Sequence, residues 1–425
     1  MAATPHPFSF RDFRFFFLAR LMATLGQLAM VIVIGWQVYD IARRTMDTHE
    51  AALRLGYVGV IQFLPLALLT LVTGWAADRV DRRQIARAAV LLETFCAAVL
   101  AYTTWTGDIS LPILFAVAAL LGVARAFAGP ALQAMSPNLV SQEALPTAIA
   151  LSSIAWQGGS IVGPALGGYL YAAARYLPYA VSTALFLLSF LMLLLIRPIP
   201  RTQGVRGNPW RQMVEGLHYV RRNRLVLGAI SLDLFAVLLG GATAMLPVYA
   251  RDILKVGASG LGDLRAAPAF GASITALYFA FRPLKTNVGV KMLIAVSVFG
   301  AATVIFGVSR FMPLSLAALA LLGSADMLSV YVRQSLIQLY TPDEMRGRVG
   351  AVSSLFISGS NELGEAESGL VASLIGPVPA VIAGGVGAIL VTIIWSRLFP
   401  ELRRARTFEP PPLAEQQAHV QEGAI

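Results

Sequence analysis

Charge is scarce in this chain. Only 13% of its 425 residues are Asp, Glu, Lys or Arg, where a soluble domain carries about 25%. Cysteine is nearly missing: Cys96 stands alone, so no intramolecular disulfide can form. There are four histidines, His6, His49, His218 and His419, and none falls in an apolar run. No HExxH, cysteine cluster, Walker A loop or nucleophile elbow occurs, so no metal, cofactor or enzymatic constellation is expected. No cleavable signal peptide is expected either. The polar start MAATPHPFSFRDFR leads straight into a long apolar span, with no small-residue cleavage site after a short core.

What is abundant is apolar surface. Hydrophobic residues make up 57% and the mean hydropathy is +0.69. A helix needs about 20 apolar residues to cross roughly 30 Å of hydrocarbon. Twelve such spans are predicted, near 15–39, 53–77, 84–105, 112–134, 145–171, 178–196, 225–249, 258–281, 289–308, 313–333, 348–374 and 378–398. The polar stretch 197–224 holds seven Arg against one acid and separates two sets of six. The expected organisation is therefore a bundle over 1–196, a linker over 197–224, a second bundle over 225–400 and a disordered tail over 401–425.

Lys and Arg concentrate in alternate loops: Arg79, Arg82, Arg83 and Arg87; the seven of the linker; Arg282, Lys285 and Lys291; Arg346 and Arg348; and Arg403, Arg404 and Arg406. The opposite loops are poorer. Cytoplasmic loops carry the excess of positive charge, so both termini are expected in the cytoplasm. The net charge of +10 belongs to this bias, and no nucleic-acid partner is expected.

A repeat links the two sets. At an offset of 201, SSIAWQGGSIVGPALGG (152–168) falls on SSLFISGSNELGEAESG (353–369), matching two serines and three glycines. Two similar six-helix halves in parallel relation are the plan of one large transporter class.

Three motifs strengthen this reading. GWAADRVDRR (74–83) resembles the loop 2–3 signature of the major facilitator superfamily, Gly-x-x-x-Asp-Arg-x-Gly-Arg-Arg/Lys, with Asp81 in place of the second Gly. RAFAG (125–129) is similar to its Arg-x-x-x-Gly motif in span 4. GSIVGPALGG (159–168) matches the Gly-x-x-x-Gly-Pro-x-x-Gly-Gly pattern of span 5, which in this superfamily is associated with exporters. In the second half, SLDLFAVLLGGATAMLPVYARDIL, LRAAPAFGA, TPDEMRGRV and SNELGEAESG resemble the bacterial branch that contains the siderophore exporters, with macrolide-efflux proteins more distant. The resemblance implies an all-α, twelve-span fold of two pseudo-symmetric bundles in the bacterial inner membrane. It also implies export of a small amphipathic molecule by proton antiport. Drug or macrolide efflux and lipid translocation are the alternatives. The expected partners are the small-molecule substrate, protons and the bilayer, and a monomer is expected.

Residue by residue, Gly74, Asp78, Arg79, Arg82 and Arg83 would form a cytoplasmic latch to helix ends of the other half, or mark topology alone. Gly159, Gly163 and Gly167 recur every four residues, a spacing that lets helix backbones approach closely in lipid. Pro164 frees a carbonyl and permits a bend, and Gly168 completes the motif. Charges at membrane depth are costly and face cavities or partners. Arg125, Asp233, Asp326, Glu362 and Glu365 are the candidates for proton coupling. Glu362 and Glu365 are three apart and share a helix face, and two carboxyls in low dielectric suit proton carriage near neutral pH. The competing reading is that these acids neutralise Arg125, Arg265 or Arg333. Gln27, Trp36, Gln37, Asn361 and Arg333 are the candidates for lining the substrate cavity.

Overall fold

The computed structural model describes residues 6–135, 138–198 and 209–408. The N-terminal half runs α1 (Arg11–Ala42), α2 (Thr48–Arg79), α3 (Arg82–Thr106), α4 (Leu111–Met135), α5 (Leu145–Ala173) and α6 (Leu177–Leu194). A surface helix, α7 (Pro209–Arg222), precedes the second half. That half comprises α8 (Arg224–Leu239), the short α9 (Leu246–Val248), α10 (Gly257–Phe281), α11 (Val288–Val308), α12 (Met312–Tyr340), α13 (Asp343–Ile375) and α14 (Pro377–Leu398), followed by α15 (Pro400–Arg404). Among the described residues, ten helices are long and apolar enough to cross a membrane. The repeat-related pair, α5 and α13, is not among them, because glycine, serine and acids replace their apolar residues.

The halves repeat each other in packing. In the first, α1 packs on α5 and α6, α3 on α4 and α6, and α2 on α4. In the second, α8 packs on α13 and α14, α11 on α12 and α14, and α10 on α12. The seam is made twice, by α2 on α13 and by α5 on α10. Glycine sets both contacts. A Cβ added at Gly168 would meet the Ala258 carbonyl and lie 2.9 Å from Gly262 Cα. One added at Gly369, 201 residues on, would lie 3.1 Å from the Ala52 carbonyl and 2.5 Å from Gly56 Cα. Ala52 and Gly56 precede Ala258 and Gly262 by the same 206 residues, so the sequence repeat is also a repeat of contacts.

Three local features differ from expectation. The seventh span is not one helix. α8 stops at Leu239, and a 3-10 turn (Ala242–Met245), α9 and a π turn (Tyr249–Ile253) complete the crossing. Gly240 and Gly241 allow the break, and a Cβ at Gly241 would stand 2.7 Å from the Gly364 carbonyl of α13. Part of the linker is α7, whose Met213, Leu217 and Val220 recur at helical spacing. Its Gly216 lies against the Arg348 carbonyl, and Glu215 pairs with Arg348 at 2.9 Å. The start of the expected disordered tail is folded: Leu402 is buried, Glu401 pairs with Arg224 at 2.8 Å, and the Ala405 carbonyl accepts from Gly289 N at 3.0 Å. Residues 409–425 lie outside the described residues.

Candidate functional site

The site is built where the seam meets the middle of the bundle. Arg125 projects from α4 and Glu362 from α13, and Arg125 Nη1 lies 3.0 Å from Glu362 Oε1. The same nitrogen donates to Gln62 Oε1 on α2 at 3.0 Å. One turn on along α13, Glu365 faces Arg265 of α10 at a looser 3.9 Å. Arg265 Nη1 also donates at 3.4 Å to the Thr243 carbonyl, which lies in the 3-10 turn after α8 and accepts from Leu246 N as well. Two carboxylates on one helix thus tie an arginine from each half. A cavity of about 60 Å³ adjoins the looser pair, bounded by Gln62, Leu55, Thr243, Leu246, Arg265 and Glu365. Unwound backbone at membrane depth is tolerated where it lines such a cavity.

Glu362 is 8% exposed. A buried pair gains from mutual attraction about what it loses in desolvation, but removing one partner costs about 3–5 kcal/mol. Glu362 is the buried member, whereas Arg125, Arg265 and Glu365 are half-buried, so that cost applies only to loss of Arg125, which would strand the Glu362 carboxylate. The 3.9 Å contact is the weaker, and Arg265 is the cation more readily released to an incoming anion.

Other predicted residues fall elsewhere. Asp233 and Arg333 form a buried ion pair inside the second half, between α8 and α12, so Arg333 does not line the cavity. Among the described residues Arg333 Nε has no acceptor. Asp326, two turns before Arg333 on α12, is close enough for both charges to act on it. Gln37 is not at the cavity either. It accepts from Tyr179 at 2.7 Å and donates to Thr104 at 3.4 Å inside the first half. Trp36 is buried in the core, Asn361 is exposed, and Gln27 is half-buried on α1. A helix-1 position faces the cavity only on the arc of Val31, Ile32 and Gly35, which lies to one side of the residues chosen.

The glycines of α5 pack inward. Cβ atoms at Gly159 and Gly163 would lie 2.5 Å from Thr24 Cγ2 and 2.8 Å from Leu28 Cβ of α1, and one at Gly167 would meet the Ala29 carbonyl. Gly168 and the Pro164 carbonyl face α10 instead. In the loop 2–3 motif, the surroundings of Gly74 and the side chains of Asp78 and Arg79 lie outside the described residues. Arg83 does not reach the other half. It pairs with Asp81 at 2.5 Å and donates to the Ile196 carbonyl at 3.0 Å. Asp81 caps α3 by accepting from Arg83 N at 2.9 Å, with φ at −58°. The turn therefore needs no glycine there. The Arg83 hydrogen bond holds the Asp81 carboxyl below the usual carboxylate range. Arg82 is engaged as well.

Two groups escaped the sequence reading. Glu93 of α3 is 3% exposed and has no hydrogen bond or ion pair among the described residues, and Arg125 is the cation that acts on it. Its position eleven residues into a span was the available signal. The second is a cluster that joins the halves at the α1–α2 turn. Asp252 accepts from Tyr39 Oη at 2.5 Å and from Arg43 Nε at 3.1 Å, and Arg251 lies 3.5 Å from Asp40. Beside it His49 Nδ1 lies 3.0 Å from the Ser373 carbonyl. Counted as loop charges these residues signal topology alone; only the fold brings them together.

Two related sets of six helices, joined by glycine contacts and by ion pairs at mid-depth, define a secondary transporter of the major facilitator type, a multi-pass membrane protein. The profile of the transmembrane secretion effector family matches residues 2–423, and the chain belongs to that family. Its relatives include proteins named "Enterobactin exporter EntS". One, from Shigella boydii, is 26% identical over 405 residues, covering 94% of each chain. Another, from Citrobacter koseri, is 26% identical over 410 residues and 95% of each. Among solved structures, a D-xylose-proton symporter superposes with a TM-score of 0.70 at 13% identity, covering 91% of this chain and 98% of its own. A bacterial homologue of the human lysosomal transporter Spinster, inward-facing and occupied, also gives 0.70, at 14% identity with 92% and 97% covered. These likenesses show the fold.

Proposed function

We propose that this protein exports a small amphipathic, siderophore-like molecule across the bacterial inner membrane by proton antiport, with both termini in the cytoplasm. The names of its relatives support the substrate class, and the loop arginines support the orientation. In that orientation the Tyr39–Asp252 cluster closes the periplasmic face. The observation that carries the coupling is the arrangement of Arg125, Glu362, Glu365 and Arg265 across the seam. Siderophores present hydroxyl donors. Such a hydroxyl donates to Glu365 while that carboxylate is ionised, its 3.9 Å contact with Arg265 leaving acceptor capacity for the substrate. Protonation of Glu365 removes the acceptor and releases the substrate, and loss of the proton restores it. Substrate and proton thus occupy the site in alternation, which is the requirement of an antiporter.

The test is efflux from proteoliposomes with and without an imposed pH gradient. Wild type should concentrate substrate only with the gradient. Glu365→Gln keeps the shape of the site but cannot exchange a proton, so it should lose gradient-driven efflux while downhill exchange survives. A mutant that concentrates substrate as steeply as wild type removes Glu365 as the carrier. A wild type indifferent to the gradient removes proton antiport.

A further inference from the structure

A second concavity lies away from the central one. A groove of about 750 Å³ opens on the outer surface of the bundle, where α5 of one half meets α10 and α12 of the other. Its walls are apolar, formed by Ile161, Val162 and Leu166 on α5, Phe270 on α10, and Leu316 and Ala320 on α12. One ionisable group stands among them. Asp263 of α10 accepts from Tyr169 Oη of α5, with the two carboxylate oxygens at 3.2 and 3.3 Å. Among the described residues it has no cation partner.

Depth and shape restrict what fits. Asp263 is six residues into α10 and Tyr169 four from the end of α5, so both sit about 6–9 Å below the helix ends. From Tyr169 to Ile161 the groove continues about 12 Å deeper along α5. Its outer end is therefore at headgroup and ester level, and its length matches part of an acyl chain in one leaflet. An acid facing lipid without a cation is expensive, and a single hydroxyl leaves most of its acceptor capacity unused. The missing complement is a cationic N–H donor carried on an apolar tail.

We propose that this groove is a binding site for a phospholipid with a primary-amine headgroup, phosphatidylethanolamine being the probe. The ammonium donates to Asp263, Tyr169 orients the carboxylate, and one acyl chain lies along Phe270 and Leu316. The occupant touches both halves, so it bears on their relative position. A trimethylated headgroup has the same charge but no N–H donor and is discriminated against.

Retention of lipid is measured by native mass spectrometry on the full chain, titrated with dioleoyl phosphatidylethanolamine or dioleoyl phosphatidylcholine. This readout does not involve transport and is independent of proton coupling. Wild type should prefer the primary amine by about tenfold, the size of one charge-assisted hydrogen bond. Asp263→Asn should reduce the preference to about onefold without loss of folding. Ala317→Trp, at an exposed groove position, should lower retention of both lipids by filling the slot. Equal retention by wild type overturns the site, as does full preference in Asp263→Asn. Undiminished retention in Ala317→Trp places the lipid elsewhere and also overturns it.

Discussion

Replacing Gly369 by Ala puts a number on the seam. The added Cβ would lie 2.5 Å from Gly56 Cα and 2.7 Å from Gly56 N, atoms of a helix backbone that cannot step aside as a side chain can. Ordinary contact begins at 3.4 Å, so α2 and α13 must part by about 0.9 Å. Glu362 lies two turns away on the same helix, and an equal shift would take its 3.0 Å contact with Arg125 to the limit of an ion pair. Overpacking of this kind costs about 1–3 kcal/mol. The matched control is Gly129→Ala on α4, where nothing lies within 4 Å and helix propensity alone gains up to about 1 kcal/mol. That gain applies to both helical positions, so the two variants should differ by the overpacking alone, about 1–3 kcal/mol or a factor of about 5 to 150 in a two-state population. Thermal unfolding in detergent reads the stability. Electron-spin distances between labels at Thr45 and Leu374, with Cys96→Ala as background, read the position of the halves. Gly369→Ala should unfold at lower temperature and broaden the Thr45–Leu374 distances, and Gly129→Ala should do neither. If the two variants behave alike, the close approach of α2 and α13 does not hold this state together.

The remaining predictions concern charge. Asp252→Asn weakens the acceptor shared by Tyr39 and Arg43 and should shift the same spin distances outward without lowering membrane insertion. Glu93→Gln retains the buried shape but removes a carboxyl near Arg125. It should flatten the pH dependence of efflux while leaving downhill exchange, as measured in proteoliposomes. Asp81→Ala removes the α3 cap and should cost about 1 kcal/mol of stability. The pH dependence has a definite sign. The folded Asp81 carboxyl is held low, so its contribution is complete above the ordinary carboxylate range and fades as pH falls through the lowered value. Wild type and Asp81→Ala should thus differ constantly between about pH 5 and 8 and converge in acid.

The helices were legible because lipid imposes one rule, a long apolar run, and the chain obeys it. The repeat was legible because Gly168 and Gly369 answer to the same contact with a neighbouring backbone. What sequence could not give was partnership. Asp233 and Glu362 look alike as acids in apolar spans, yet one is sealed inside a half against Arg333 and the other bridges the seam to Arg125. Helical phase decides that, and span edges read from hydropathy do not fix phase. Gln37 failed for the same reason: it turns inward to Tyr179 while Gly35, two residues earlier, borders the cavity. The break after α8 was hidden because Gly240, Gly241 and Pro247 sit in a run apolar enough to pass for one helix.

The duplicated frame carries unduplicated charge. By the offsets that relate the seam contacts, Arg265 occupies the place held by Gly59 in the first half, and Glu365 the place held by Pro164. A cavity with true twofold walls would accept a ligand equally well in two poses, one turned end for end relative to the other. Here the anion-seeking guanidinium and its displaceable carboxylate occur once on each pair of equivalent positions, so the degeneracy is lifted. A molecule with a polar and an apolar end has one way to sit, and it presents the same end to the same half in every cycle.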